Sequence, residues 1–263
     1  MRYLRPYDLD ALEPGTCGDW LLAPGDGAGV TVRLSRGGGE AVPRVSETSE
    51  RFALVLRGTA HLVQGGVALP AATGELAFIP AGCSGAFAGD AATLWAEIET
   101  ELTAGTGGAT GSEFKVMHVD QSKFEGAGFA YQSLIDRTQG AHTMRANVLQ
   151  VQPGAGSPDW HIHAFSQIYF IQEGKMTVDI GRARFVARAD TLVFLPAGVV
   201  HRNFNASNDL ERHVSLLVPE PKSDEIFDFA ITIHEHEAEL LTAIPANLSS
   251  CPENSNGQAA MDT

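Results

Sequence analysis

The chain has 263 residues and a mass of 27.9 kDa, and 44% of its residues are hydrophobic, which fits one large or two smaller globular domains. Its formal net charge of −14 disfavours a nucleic-acid or anionic-membrane partner, because that field repels phosphate. Three scattered cysteines without a CxxC pair are typical of a reducing compartment, and no apolar run reaches the ~18 residues of a membrane span, so we expect a cytoplasmic protein.

The first half of the chain favours β-structure. Residues 1 to about 30 predict an arm with turns, because Gly and Pro interrupt them. Short strand-like runs with turn signals between them then follow as far as Thr100, namely VTVRL, RFALVL, AHLVQ, ELAFIP and TLWAEIE. Such spacing is typical of an all-β barrel or sandwich. The Gly/Thr/Ala-rich segment 100–113 is the best candidate for a linker.

The second half repeats this pattern. Its strand-like runs are FKVMHV, TMRANVLQV, QIYFIQ, KMTVDI, ARFVA, TLVFLP and HVSLLV. Residues 235–241 look helical. The polar segment after Pro245 lacks aromatic residues, so we expect it to be disordered.

An internal repeat relates the two halves. Gly58 in LVLRG and Gly174 in FIQEG are 116 positions apart, and Pro80 in FIPAG and Pro196 in FLPAG have the same offset. A shared offset in two motifs indicates a duplicated domain. We therefore predict an N-terminal barrel, a C-terminal barrel and a tail, at residues 1–105, 106–245 and 246–263.

One motif of the second half carries candidate ligands. His161, His163 and Gln167 lie within seven residues, and His201 follows the turn at 196–198. Because alternate residues of a strand point to one face, both histidines of the HxH are expected to point into the barrel. Gln167 keeps the same parity if the strand is regular.

These residues resemble the two motifs of the cupin superfamily, specifically of a bicupin. The first motif reads HxH, three residues, Gln167, six residues and Gly174; the second reads Asp190, five residues, PxG, two residues, His201, three residues and Asn205. Two departures stand out. Gln167 replaces the usual glutamate ligand, and Asp190 replaces a glycine.

The resemblance implies an all-β fold of two tandem cupin barrels, with the metal site in the C-terminal one. His161, His163, His201 and Gln167 would hold one divalent ion, either Fe, Mn, Ni or Zn, with positions left for water or substrate. Gln167 could instead orient a metal-bound water. A neutral ligand set leaves the ion at a formal charge of +2, which favours anionic oxygen donors.

The N-terminal repeat lacks this ligand set. Subtracting 116 from the four ligand positions gives residues that include no histidine: Val45, Glu47, Arg51 and Gly85. We infer that the first barrel kept the fold and lost the metal. It would then serve packing, substrate gating or dimer contacts.

The resemblance implies an enzyme that acts on a small oxygenated substrate, such as an enol, a diketone, a catechol or a carboxylate. A dioxygenase is the first expectation. A redox-neutral isomerase, cyclase or lyase, or a non-enzymatic metabolite-binding protein, is the alternative. Tyr169 is the candidate proton donor or substrate clamp, and Arg145 the candidate partner of a substrate carboxylate. The N-terminal arm could pair with a sheet edge of a second copy, so we expect a homodimer. The other histidines, His213 among them, are interpreted as structural.

Overall fold

The computed structural model describes residues 2–26, 29–102, 113–222 and 226–233. The chain divides into two units, Met1–Ile231 and Thr232–Thr263, and the second is described only for its first two residues. The predicted linker, the predicted helix at 235–241 and the predicted disordered tail therefore lie outside the described residues, apart from the ends of the linker. In the described ranges no helix is long and apolar enough to cross a membrane.

The first ten strands in chain order are β1 (Leu4–Pro6), β2 (Cys17–Leu22), β3 (Val30–Arg36), β4 (Ser49–Arg57), β5 (Thr59–Gln64), β6 (Val67–Ala72), β7 (Leu76–Ile79), β8 (Ala86–Ala88), β9 (Leu94–Glu101) and β10 (Lys115–Met117). A six-stranded sheet, in the order β10-β7-β4-β9-β3-β2, and a three-stranded sheet, β6-β5-β8, form the N-terminal barrel.

Ten further strands follow: β11 (Phe129–Ile135), β12 (Arg145–Val151), β13 (Gly156–Ile162), β14 (Ser166–Glu173), β15 (Lys175–Ile180), β16 (Ala183–Arg188), β17 (Thr191–Leu195), β18 (His201–Phe204), β19 (Glu211–Val218) and β20 (Phe229–Ala230). A six-stranded sheet, β1-β17-β14-β19-β12-β11, and a five-stranded sheet, β16-β15-β18-β13-β20, form the C-terminal barrel. The predicted all-β fold of two tandem barrels is confirmed. The strands β6, β8, β11 and β20 were not predicted, nor were β1 and β2, which lie in the segment predicted as an arm with turns.

The central strands β4 and β14 are buried on both faces. Phe52 and Phe170 belong to one hydrophobic core that both barrels share, whereas their sequence neighbours Ala53 and Tyr169 belong to the separate interiors of the two barrels. This alternation follows the two-residue period of a strand. It explains why both strands are almost continuously apolar, and it turns Gln167 and Tyr169 toward the interior of the C-terminal barrel.

Each barrel takes one strand from the other side of the predicted boundary at 105/106. The N-terminal strand β1 pairs with β17 of the C-terminal barrel, and β10 pairs with β7 of the N-terminal barrel. The arm therefore contacts a sheet edge of its own chain, and the homodimer remains a prediction. The boundary also remains a prediction, but the strand pairing crosses it twice.

The glycine that the second motif lacks is replaced by a residue that tolerates the same backbone. Asp190 has φ 59°, which makes it the non-glycine residue with positive φ in the described chain, and its counterpart in the first repeat, Gly74, has φ 87°. Asp is among the few residues that adopt the left-handed region at low cost. The turn between β16 and β17 is thus retained despite the substitution.

A buried carboxylate connects the N-terminal barrel to the chain that enters the second. Glu50, on β4, is 1% exposed. It accepts hydrogen bonds from the backbone N–H of His142 and of Thr143 at 2.9–3.0 Å and from the Thr143 hydroxyl at 2.5 Å. Because β12 begins at Arg145, this contact fixes the start of a strand that lines the C-terminal barrel.

Candidate metal centre

The three predicted histidine ligands lie together in the interior of the C-terminal barrel. His161 is on β13 and pairs in register with His201 on β18, and His163 follows the end of β13. All three are buried, with 1–6% exposure. Their ligand atoms lie within 4.8 Å of one another. Two imidazole nitrogens bound to one ion at about 2.1 Å are at most about 4.2 Å apart, so small side-chain rotations suffice to close the cluster on an ion.

Hydrogen bonds to the backbone set the tautomer of each imidazole. The Nδ1 atoms of His161, His163 and His201 lie 2.7, 3.0 and 2.9 Å from the carbonyl oxygens of Asp159, Phe227 and Val199. A carbonyl oxygen only accepts, so each Nδ1 must carry the proton and each Nε2 keeps a lone pair. Neutral imidazoles oriented in this way are typical of metal ligands.

The buried polar atoms without partners test whether a metal fits. Among the described residues, the Nε2 atoms of His163 and His201 and the Oε1 atom of Gln167 are fully buried and have no hydrogen-bond partner. A buried acceptor without a partner costs about 1–3 kcal/mol. All three are lone-pair donors, and a divalent cation would satisfy them at once. The residues therefore fit a metal ion.

The amide of Gln167 is oriented by a second contact. Its Nε2 donates to the Ser215 hydroxyl on β19 at 3.4 Å, which leaves Oε1 as the free end of the amide. This orientation supports Gln167 as the fourth ligand, although its place among the ligands remains a prediction.

A cavity of about 310 Å³ lies next to the cluster, and both predicted catalytic residues line it. Tyr169 is 3% exposed, and its hydroxyl lies 3.5 Å from Oδ1 of Asn203. Arg145 donates from Nε to the Asn147 side chain at 3.3 Å. The volume suits a small molecule, and the roles of the two residues remain predictions.

Burial shifts the protonation equilibria of the cavity toward neutral groups. Desolvation lowers the pKa of His201 to about 4, so its imidazole is neutral at physiological pH. Burial, followed by the charges of Glu211 and Asp228, raises the pKa of Tyr169 far above its ordinary value. The phenol is consequently a weak acid, better suited to donating a hydrogen bond than to releasing a proton.

A segment that the sequence patterns did not predict covers one side of the cluster. Phe229–Ala230 forms β20 and pairs with β13 at His161 and Ile162. The Asp228 carboxylate lies 3.2 Å from Nδ1 of His163, and that hydrogen bond lowers the pKa of Asp228. No periodicity in the polar stretch around residues 220–228 signals this return to the barrel, so only the fold could reveal it.

His213, interpreted above as structural, lines the cavity as well. Its Nδ1 lies 2.8 and 3.0 Å from the two carboxylate oxygens of Glu211, and both residues are 1% exposed. Its ring meets Tyr169 edge-on, at a centroid distance of 4.9 Å. The spacing ExH on a strand is the sequence signal, because it places both side chains on one face. The Glu211–His213 pair thus adds a carboxylate-oriented imidazole to the site.

Asn205, the last residue of the second motif, holds the turn after β18. It is fully buried, its Nδ2 donates to the carbonyl oxygens of Val151 and Asp209 at 2.9 and 2.7 Å, and its Oδ1 accepts from the backbone of Ser207. In the N-terminal barrel, the described residues contain no comparable group of three His, Cys, Asp or Glu ligands; the loss of a metal site there remains a prediction.

Comparisons with known proteins agree with this geometry. Residues 147–217 match the family model described as a cupin domain. A search of curated protein sequences finds no match. Among solved structures, protein Ylba from E. coli is 16% identical with a TM-score of 0.64, covering 85% of this chain and 93% of its own.

Two enzymes are also similar in fold. A Bacillus subtilis oxalate decarboxylase mutant has a TM-score of 0.57 at 13% identity, covering 78% of this chain and 72% of its own. A salicylate 1,2-dioxygenase from Pseudaminobacter salicylatoxidans has a TM-score of 0.60 at 13% identity, covering 76% and 75%. At this identity the likeness shows the fold alone.

Two double-sheet barrels, one with a buried cluster of histidines and an adjoining cavity, define a β-barrel protein of the metal-binding type. The match over residues 147–217 assigns the C-terminal barrel to the cupin domain type, and the two tandem barrels have the predicted bicupin-like fold.

Proposed function

We propose that the protein is a metal-dependent enzyme in which His161, His163 and His201, with Gln167, hold one divalent ion, and that it acts on a small oxygenated substrate as a dioxygenase. The observation that carries the proposal is the set of buried, unpartnered lone pairs on His163, His201 and Gln167 beside a cavity of about 310 Å³. A redox-active ion held there would bind the substrate's oxygens and take part in electron transfer to O2.

The cavity wall supplies the remaining functions. Arg145 offers a fixed positive charge for a substrate carboxylate or enolate. Tyr169, whose phenol stays neutral, donates a hydrogen bond to a substrate oxygen. The uncharged ligand set favours anionic chelating substrates, such as enols, catechols, hydroxybenzoates and small carboxylates.

A second candidate, redox-neutral proton transfer, is favoured by one observation. The imidazole of His213 lines the same cavity, and Glu211 holds its Nδ1 at 2.8 Å. Oriented in this way, His213 would accept and return a substrate proton, as an isomerase or lyase requires.

The test combines metal analysis with oxygen uptake. The purified chain is loaded in turn with Fe(II), Mn(II), Ni(II) and Zn(II), and is then assayed with a panel of enols, diketones, catechols and hydroxybenzoates in an oxygen electrode. A dioxygenase consumes one O2 per substrate and places both atoms of ¹⁸O2 in the product. Anaerobic turnover with Zn(II) would instead support the second candidate. Bound metal without any turnover across the panel would leave a metabolite-binding protein.

Variants identify the residues responsible. His161→Ala and His201→Ala should each lower the metal content to below about one tenth of the wild-type value, because each removes a ligand. The matched control is His118→Ala, since His118 is exposed on the N-terminal barrel; it should keep the full metal content. His213→Gln should abolish anaerobic turnover but leave oxygen uptake largely intact.

A further inference from the structure

A second cavity, of about 190 Å³, lies inside the N-terminal barrel. The strand registers show that it is the counterpart of the metal cavity. Ala53 on β4 and Arg33 on β3 both pair with Glu97, whereas Tyr169 and Asn147 both pair with Ser215 in the other barrel. Glu97 therefore occupies the position of Ser215.

The same register assigns the other wall positions. Arg51 lies opposite Ile79 and Gln167 lies opposite Leu195, with an offset of 116 in both strands. Trp95 takes the place of His213, two residues before the Glu97 and Ser215 positions. Because these side chains line their own cavity, the first barrel has kept its interior and changed its chemistry.

The cavity is positive in a strongly acidic chain. Four arginines and two glutamates line it, which gives a formal charge of +2, whereas the whole chain carries −14. Glu97 already engages three of the arginines: Arg33 at 3.0 Å, Arg51 at 3.6 Å, and Arg44 in a closer contact. One carboxylate thus compensates three guanidinium groups.

Two donors in this wall have no acceptor. Nε of Arg51 and Nε1 of Trp95 are fully buried without a hydrogen-bond partner, and Arg51 is 4% and Trp95 7% exposed. Both atoms only donate, so an acceptor oxygen would satisfy them. Burial and the neighbouring Arg44 lower the pKa of Arg51, against the opposing effect of the Glu97 and Glu99 carboxylates.

We propose that the interior of the N-terminal barrel is a binding site for a small organic dicarboxylate, held by Arg51, Arg44 and Trp95. Guanidinium groups bind carboxylates bidentately. Phe87, whose ring lies 5.4 Å from the Arg51 guanidinium, supplies an apolar wall for the carbon chain. In the second barrel the proposed cation is a bound metal ion, whereas in the first barrel the cations are arginine side chains. The site is independent of the catalytic proposal.

Isothermal titration of the full-length chain with malonate tests the proposal, with malonamide as the neutral analogue and inorganic phosphate as the alternative anion. Each titration is done on the metal-loaded protein and on His201→Ala, because a metal ion also binds carboxylates. We expect one malonate site per chain that persists in His201→Ala, no malonamide binding, and weaker phosphate binding.

Variants of residues that line the cavity of the N-terminal barrel test the proposal. Arg51→Gln should weaken malonate binding by about tenfold or more, the loss of one charge-assisted contact. Trp95→Phe should weaken it about threefold, and Glu97→Gln, which removes the competing carboxylate, should tighten it. Arg57→Gln is the matched control, since Arg57 lies on the same strand and pairs with Asp10 at the surface.

Three results would overturn the proposal: malonate binding that disappears in His201→Ala, folded Arg51→Gln that binds as tightly as wild type, or a site that takes phosphate and not malonate. Thermal unfolding establishes that each variant is folded. Should Arg51→Gln fail to fold, the other two variants test the site, because Trp95→Phe should weaken malonate binding and Glu97→Gln should tighten it. The same malonate affinity in both variants would contradict the proposal.

Discussion

Arg51 and Gln167 occupy the same position in the two barrels. Each lies on the central strand of its six-stranded sheet, opposite Ile79 and Leu195 respectively, and each contacts the equivalent residue of the neighbouring strand, Glu97 or Ser215. The duplicated fold therefore places a permanent cation at this position in one barrel and a neutral amide with a buried, unpartnered oxygen in the other. This position is one of those at which the two interiors differ in chemistry.

Gln167→Glu should tighten metal binding by about tenfold or more, because it restores a negative charge beside the ion. Turnover should change as well, since the ion then attracts anionic substrates less strongly. Competition with a fluorescent chelator measures the affinity. Gln121→Glu, at an exposed position, is the control for the added charge. Identical affinity in Gln167→Glu and wild type would exclude Gln167 from the ligands.

The sequence was sufficient for the fold and for the histidine cluster because both depend on local patterns. Short apolar runs between turn residues locate strands such as β14, and the 116-residue offset reveals the duplication. The HxH needs only strand geometry to bring His161 and His163 together. Asp190 shows the same logic, since a residue that tolerates positive φ replaces a glycine.

The parts that escaped prediction depend on contacts between distant segments. Nothing in the local sequence of Asp228 indicates that it lies 3.2 Å from His163, and nothing around Leu4 indicates that β1 joins the sheet of the other barrel. The cation cluster at Glu97 is likewise assembled from three strands and a loop. Tertiary packing, not propensity, decides such placements.

Acid pH should destabilise the protein partly through Asp179 on β15. Its carboxylate accepts from Arg184 at 2.7 and 2.9 Å and from Arg202 at 2.9 Å, and these contacts lower its pKa below the ordinary value near ~3.9. Because the folded pKa is depressed, the stabilisation is fully present above the unfolded pKa and is lost as pH falls through the folded pKa.

Asp179→Asn should therefore lower the free energy of unfolding at pH 7 by about 1–3 kcal/mol. The deficit should be constant between about pH 5 and 7 and shrink below about pH 4, where the wild-type carboxylate itself becomes protonated. Urea unfolding at fixed metal content measures it, with exposed Asp19→Asn as the control. A deficit that stays constant down to pH 2 would contradict the assignment.

Glu50 should be one of the largest polar contributors to stability. Its buried carboxylate satisfies the backbone N–H groups of His142 and Thr143 and the Thr143 hydroxyl. Glu50→Gln keeps the shape but replaces one acceptor oxygen by a donor, which then faces the same N–H groups. We expect a loss of about 2–4 kcal/mol in urea unfolding, against less than about 0.5 kcal/mol for Glu101→Gln at an exposed strand end.

Because Thr143 precedes Arg145 by two residues, Glu50→Gln should also raise KM more than it lowers kcat, as the cavity wall at β12 loses its anchor. A stable Glu50→Gln protein with unchanged KM would show that β12 is fixed by its sheet partners alone.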